Sequence, residues 1–221
     1  MSNAFLGASR LLGATDGVDK LTKFVIGVFT TLSTTNTPLC AHYGDSARQL
    51  SDIRSVLRLS RLLALTLKIH SLIDLVAAQG FVWTERKKFV EIFKIVFDLL
   101  YAAGDHAHLL ARKGLLGNSV DTARLQRRTM VARLCCHLLG TLFGLFELRD
   151  AARKLNYDPP AAKRACKISA VGVTRDAVDT VVTVSIASRA GSAYKLGPRV
   201  DGALVCLSGG LSLYLSWQST V

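Results

Sequence analysis

The stretch from Leu50 to Val76 constrains the fold most, because its basic and apolar residues separate onto different faces at the α-helical angle of 100° per residue. A wide apolar face with a thin basic stripe is typical either of a core helix or of a helix lying in a membrane interface. The positive stripe favours the interface, since anionic lipid attracts each Lys or Arg by about 1 kcal/mol near the surface. An ordinary core helix with solvated arginines stays open as the alternative.

We therefore predict lipid contact for the basic stripe and insertion into lipid for three leucines of the apolar face. The basic residues are Arg54, Arg58, Arg61 and Lys68, and the leucines are Leu57, Leu63 and Leu67.

Composition agrees with contact between this chain and a membrane. Half of the 221 residues are apolar, and the net charge is +12. Such a chain suits an anionic phospholipid membrane better than nucleic acid, because nucleic-acid surfaces interleave aromatic residues with basic patches and only 7% of this chain is aromatic. Four prolines in the whole chain fit a helical protein. We predict an all-α, multi-helix membrane protein with amphipathic interfacial helices and a C-terminal hydrophobic helix.

Two regions follow from the hydropathy of the chain. Residues 1–128 form an amphipathic helical region suited to membrane remodelling, with helices predicted over 17–32, 50–76 and 84–112 and a loop over 30–44. Residues 129–221 form membrane-associated hydrophobic helices joined by a basic linker at 149–167, which contains two prolines.

The second region holds two uncharged runs. Residues 134–146 are thirteen in number, fewer than the roughly 20 that a spanning helix needs. Their Gly140 and Gly144 form a GxxxG pattern, which lets two helices approach closely. Residues 202–219 are eighteen in number and form the best transmembrane candidate, with Ser208 and Ser212 on a small-residue face for helix packing. A buried C-terminal helix in a soluble fold is the alternative for this run.

Catalytic chemistry finds little support in the sequence. Asp105, His106 and His108 are the one cluster that resembles metal ligands, but zinc-binding histidines on a helix are spaced i, i+4 and these two are not. The chain lacks a phosphate-binding GxxxxGK[ST] loop and a GxSxG nucleophile elbow. We expect no enzyme activity, no catalytic residues, no cofactor and no metal site.

Four blocks of the sequence, residues 15–20, 54–63, 101–115 and 202–217, follow one another in the order of a known family's motifs. They resemble the peroxisomal biogenesis factor 11 (peroxin-eleven) family of membrane proteins. Residues 15–20, TDGVDK, are similar to that family's TxGRDK, with Val18 in place of Arg. Residues 54–63 are similar to its basic, leucine-rich helix. Residues 101–115 are similar to its Y-x-x-x-D-x-x-x-W-L-x-x-x-G-L, with Leu109 in place of Trp. Residues 202–217 are similar to the small-residue helix that closes the family's chains.

The resemblance implies a peroxisomal membrane protein, or a glycosomal one in lineages that have glycosomes. It also implies self-association into homo-oligomers, membrane elongation and cooperation with the fission machinery that multiplies the organelle.

Two other readings remain open. In one, Arg175, Asp176 and Asp179 line a solute pore, since charges at membrane depth face water or each other. In the other, the chain is a soluble helical adaptor.

Overall fold

The chain is described here from a computed structural model, in which residues 10, 11, 13, 15–79, 86–117, 120–188, 192 and 194–220 are described. All regular structure in these residues is helical, which confirms the predicted all-α fold. The helices are α1 Thr15–Leu32, α2 Cys40–Leu57, α3 Leu59–Gln79, α4 Arg86–Arg112, α5 Thr122–Arg153, α6 Pro159–Ala187 and α7 Pro198–Thr220. A short 3₁₀ turn, Lys154–Asn156, follows α5.

The chain divides into two compact units. The terminal unit comprises Met1–Leu59 and Val178–Val221, and the central unit comprises Ser60–Ala177. Helix α6 contributes residues to both units.

Within the terminal unit, α1 packs against α7 and α2. The α1–α7 pair is antiparallel and close, because glycines face backbone across it. A Cβ added at Gly27 would overlap the backbone of Cys206, and one added at Gly209 would lie 2.7 Å from the backbone of Phe24. Small residues at a helix contact allow this spacing, which larger side chains would prevent.

Within the central unit, α4 packs along α5, and α3 lies on α4 through a small apolar core. The buried residues of that core are Leu65, Ile95 and Ala102, with Leu62, Ile69, Leu72 and Leu99 around them. Gly104 on α4 faces Thr129 on α5, where an added Cβ would lie 3.2 Å from the Thr129 Cβ.

The predicted helix over 50–76 is divided in the structure. A turn at Arg58 separates α2 from α3, and the boundary between the two units follows Leu59. Helix α2 also begins at Cys40, inside the predicted 30–44 loop.

The basic linker predicted at 149–167 is mostly helical, which corrects that prediction. Helix α5 continues to Arg153, and α6 begins at Pro159. Pro159 and Pro160 occupy the first turn of α6, where a missing backbone N–H removes no helical hydrogen bond. The Asp158 carboxylate accepts from the Ala161 N–H at 3.5 Å and adds a cap. The prolines thus start a helix.

Two helices in the described residues are long and apolar enough to cross a membrane, Thr122–Asn156 and Pro198–Ser219. In each, 22% of the most apolar window is buried within the protein. The second agrees with the run chosen from the sequence. The first shows that the thirteen uncharged residues belong to a helix of 32 residues, which is about 48 Å long.

Candidate membrane-contact site

The outward face of α3 is a row of exposed leucines. Leu59, Leu63 and Leu67 follow each other at i, i+4 and i+8, so they lie one above another on one side of the helix. Leu63 is 64% exposed and Leu67 is 72% exposed. Val56, at the end of α2, is also exposed. A contiguous exposed apolar face of this kind marks an interaction surface.

The side of α3 that faces α4 carries apolar residues, and two ion pairs join the same two helices. Arg61 Nη2 donates to Asp98 Oδ2 at 2.6 Å, and Lys68 Nζ donates to Glu91 Oε1 at 3.2 Å. Both carboxylates belong to α4. The Asp98 side chain is largely buried, while Arg61 and Lys68 keep about half of their surface exposed. Helix α3 therefore pairs Arg61 and Lys68 with α4 and leaves one row of its leucines, Leu59, Leu63 and Leu67, exposed.

The two arginines at the end of α2 are more deeply buried than the basic residues of α3. Arg54 donates through Nε to Asp19 Oδ1 at 2.7 Å and through Nη2 to Asp19 Oδ2 at 3.2 Å, a two-point contact. Arg58 Nε donates to the same Oδ1 at 3.3 Å. Asp19 and Arg58 are buried. Arg54 and Arg58 therefore lie in the interior of the terminal unit, away from the surface where lipid contact was predicted.

Lipid contact stays a prediction for Arg61 and Lys68, which are partly exposed. Leu63 and Leu67 are exposed and Leu57 is half-buried, and insertion of these leucines into lipid stays a prediction.

A second buried ion pair joins α1 to α6 and α7. Lys23 Nζ lies 2.7 Å from both carboxylate oxygens of Asp179 and 2.5 Å from Ser208 Oγ. The side chains of Lys23 and Asp179 are each more than nine-tenths buried. The ion pair stabilises the two buried charges, since a buried ion without a partner costs several kcal/mol.

The residues predicted for helix packing all pack within the chain. A Cβ added at Gly140 would overlap the Asp176 carboxylate, and one added at Gly144 would lie 2.7 Å from Val173 Cγ2, so α5 approaches α6 closely. Ser208 is fully buried beside Lys23. Ser212 is buried and donates to the Ser208 carbonyl at 2.8 Å.

The charged residues that would line a pore also form hydrogen bonds within the chain. Arg175 Nε donates to Asp176 Oδ1 at 2.8 Å, and Asp179 accepts from Lys23.

Polar groups occupy much of the buried space in the described residues, while large apolar groups face outward. Buried polar side chains line the interior of the terminal unit at Thr183, Ser185, Ser208, Ser212 and Ser216. Exposed apolar side chains occur on α5 at Val131, Leu138, Leu142 and Leu145, and on α6 at Val181 and Ile186. This arrangement suits a protein whose surroundings are apolar, because lipid covers the leucines at no cost and the polar groups must then pair internally.

A further group of charges ties the start of α4 to the end of α5. Lys87 Nζ pairs with Glu147 and lies 3.2 Å from Asp150 Oδ2. The hydrogen bond to Glu147, aided by Asp150, raises the pKa of Lys87 above its ordinary value. Lys87 and Lys94 also lie over the Phe143 ring, at 5.7 and 5.3 Å from its centroid.

The predicted histidine cluster lies on α4. His106 Nδ1 is 2.8 Å from the Ala102 carbonyl, one turn earlier, and this bond orients the ring along its own helix.

The sequence did not reveal the carboxylates that form ion pairs with the residues of the basic stripe. Asp19, Glu91 and Asp98 lie at least 23 residues from their partners, so helical spacing within 50–76 gave no sign of them. The available signal was the set of acidic residues on the neighbouring amphipathic helices, opposite which basic residues could pair.

Comparison with protein-family models, curated proteins and solved structures found no match to this chain.

Proposed function

We propose that this chain is a membrane protein of the peroxin-eleven type, which elongates and remodels the peroxisomal or glycosomal membrane and promotes its fission. The observation that carries the proposal is the row of exposed leucines on α3, Leu59, Leu63 and Leu67, beside basic residues that pair with α4. The sequence resemblance supplies the organelle and the process, and the two long apolar helices supply membrane attachment.

The mechanism is physical rather than chemical. A helix inserted about 5–10 Å into one monolayer takes up area there and not in the opposite monolayer. Leu59, Leu63 and Leu67 supply the inserted surface. Arg61 and Lys68 lie near the headgroups while still paired with α4. Many copies acting on one side bend the bilayer into a tubule.

Self-association follows from outward apolar surfaces in this account. Gly140, Gly144, Ser208 and Ser212 are occupied by contacts within the chain. Contact between copies, and with fission machinery, is therefore made through the exposed apolar residues of α5 and α6.

Tubulation of vesicles tests the proposal. The full chain, added to vesicles that contain anionic phospholipid, should draw out tubules visible by electron microscopy. The double variant L63Q/L67Q should lose this activity, because two leucines inserted in lipid contribute about 1.5–3 kcal/mol each.

T66Q/S71Q is the matched control, since it adds the same side chains at exposed positions of α3 that are already polar. Tubulation that persists in L63Q/L67Q, or that disappears equally in T66Q/S71Q, contradicts the proposed role of the leucine face.

A solute pore is the second candidate. The feature that favours it is the buried polar row of the terminal unit, where Lys23, Asp179 and Ser208 meet. Conductance across a planar bilayer that changes with D179N would support a pore, and its absence with the purified chain would remove this candidate.

A further inference from the structure

The turn between α4 and α5 holds two leucines in a fixed and unusual position. Its sequence is Gly114-Leu115-Leu116-Gly117, and both glycines have φ of +75°, a conformation that favours glycine. The Gly114 N–H donates to the Ala111 carbonyl at 3.0 Å, and the Leu115 N–H donates to the Leu110 carbonyl at 2.9 Å. These two bonds form a Schellman motif, which ends α4 in a defined geometry.

The leucines of this turn are not covered by the described protein. In a Schellman motif the apolar residue after the glycine commonly packs against the residue three positions before the helix cap. Here those residues are Leu115 and Leu110, and both are exposed, Leu115 at 72%. Leu116 is exposed as well.

Basic residues flank the two leucines in the sequence. Between positions 112 and 128 the chain has five basic residues and one acidic residue, Asp121, for a net charge of +4. All five basic residues are exposed. They are Arg112, Lys113, Arg124, Arg127 and Arg128.

We propose that this turn, residues 112–117 with Arg124, Arg127 and Arg128, is a second lipid-contact surface, separate from the α3 face. Leu115 and Leu116 enter the monolayer, and the basic residues contact anionic headgroups. Both elements are needed for this partner, because a nucleic acid would use the charge and leave the leucines in water. The inference rests on the proposed membrane function and adds a contact to it.

A tryptophan at position 115 reports the contact directly. The full-length L115W variant is reconstituted into vesicles of brominated phosphatidylcholine, with or without phosphatidylserine, and the emission of the unmodified chain, which has two tryptophans, is subtracted. Bromine on the acyl chain quenches a tryptophan that enters the monolayer. We expect strong quenching of L115W when phosphatidylserine is present and little without it.

Charge variants test the role of the arginines. Adding R127Q/R128Q should weaken the contact about 25-fold, since each basic residue contributes about fivefold near an anionic surface, and the quenching should fall toward the level without phosphatidylserine. R127K/R128K, which keeps the charge, should retain the quenching. Equal helicity by circular dichroism shows that the variants fold.

The outcomes separate this inference from the proposed function, because L67W reports the α3 face in the same vesicles. Quenching of L67W without quenching of L115W overturns the second contact and leaves the proposed function standing. Quenching of L115W that ignores both phosphatidylserine and R127Q/R128Q overturns the role of charge. Absence of quenching in both overturns both.

Discussion

Asp19 on α1 pairs with two arginines at the end of α2. Its buried carboxylate accepts from Arg54 and from Arg58, so one negative charge accompanies two guanidinium groups. Removing the charge takes from both arginines a carboxylate that neutralises them in a low-dielectric interior.

We predict that D19N lowers the free energy of unfolding by about 3–5 kcal/mol, the usual cost of removing one partner of a buried ion pair. Thermal unfolding of the detergent-solubilised chain, followed by circular dichroism, measures the change. D45N is the control, because Asp45 pairs with Arg48 at an exposed position where such pairs contribute about 0–1 kcal/mol. Equal midpoints for D19N and D45N would contradict the buried network.

Lys87 makes the stability of the fold depend on pH in the alkaline range. Its pKa is raised in the folded chain, chiefly by the hydrogen bond with Glu147. Its pairing therefore stabilises the fold fully below the ordinary pKa of 10.5, and that contribution disappears as the pH rises through the higher folded value.

We predict that the unfolding midpoint of the unmodified chain falls more steeply above pH 10.5 than that of K87Q, which lacks the titrating group. Below that pH the two midpoints should differ by a constant amount. Parallel curves across the whole alkaline range would show that Lys87 contributes no such stability.

At the scale of the helix, the α1–α7 contact depends on glycine. Gly27 faces the backbone of Cys206, which no side-chain rotation can move aside. We predict that G27V forces the helices apart and lowers stability by several kcal/mol, at the upper end of what single substitutions do.

G172A is the control for this prediction. Gly172 also lies within a helix, but an added Cβ there meets nothing within 4 Å. Alanine should stabilise the helix at Gly172 by about 0.5–1 kcal/mol, because glycine is a poor helix former. Unfolding curves of both variants measure these changes in stability. A G27V variant as stable as the unmodified chain would contradict the close approach of α1 and α7.

The helices themselves could be predicted from the sequence because apolar periodicity is local. Of the run predicted over 84–112, the described part, Arg86–Arg112, is one helix that continues through Gly104, and the C-terminal run over 202–219 lies within α7. The partners of the basic stripe could not be predicted from the sequence. A stripe of arginines looks the same whether it meets lipid phosphate or a carboxylate, and Asp19 reaches Arg54 only through tertiary packing.

The break at Arg58 also escaped prediction. The pattern over 50–76 continues through it without a glycine or proline, yet the two halves belong to different compact units. Packing decided where the helix ended, since the Arg58 side chain is held by Asp19 while Arg61 is held by Asp98.

At the scale of the molecule, several ion pairs of the described residues are buried, among them Lys23–Asp179 and Arg58–Asp19, while many large apolar side chains are exposed. In water this order would expose apolar surface and bury ions, both of which cost free energy. In a bilayer both terms change sign or shrink, because lipid covers the leucines and the ions must pair. The distribution of side chains is thus consistent with the proposed membrane function.

Carbonate extraction of membranes from cells that express the chain separates an integral membrane protein from a soluble one, because high pH and salt release proteins held by charge or by partner proteins. We predict that the chain stays with the membrane pellet, held by α5, α7 and the α3 leucines. Recovery of the chain in the supernatant would contradict membrane insertion and favour a soluble helical adaptor.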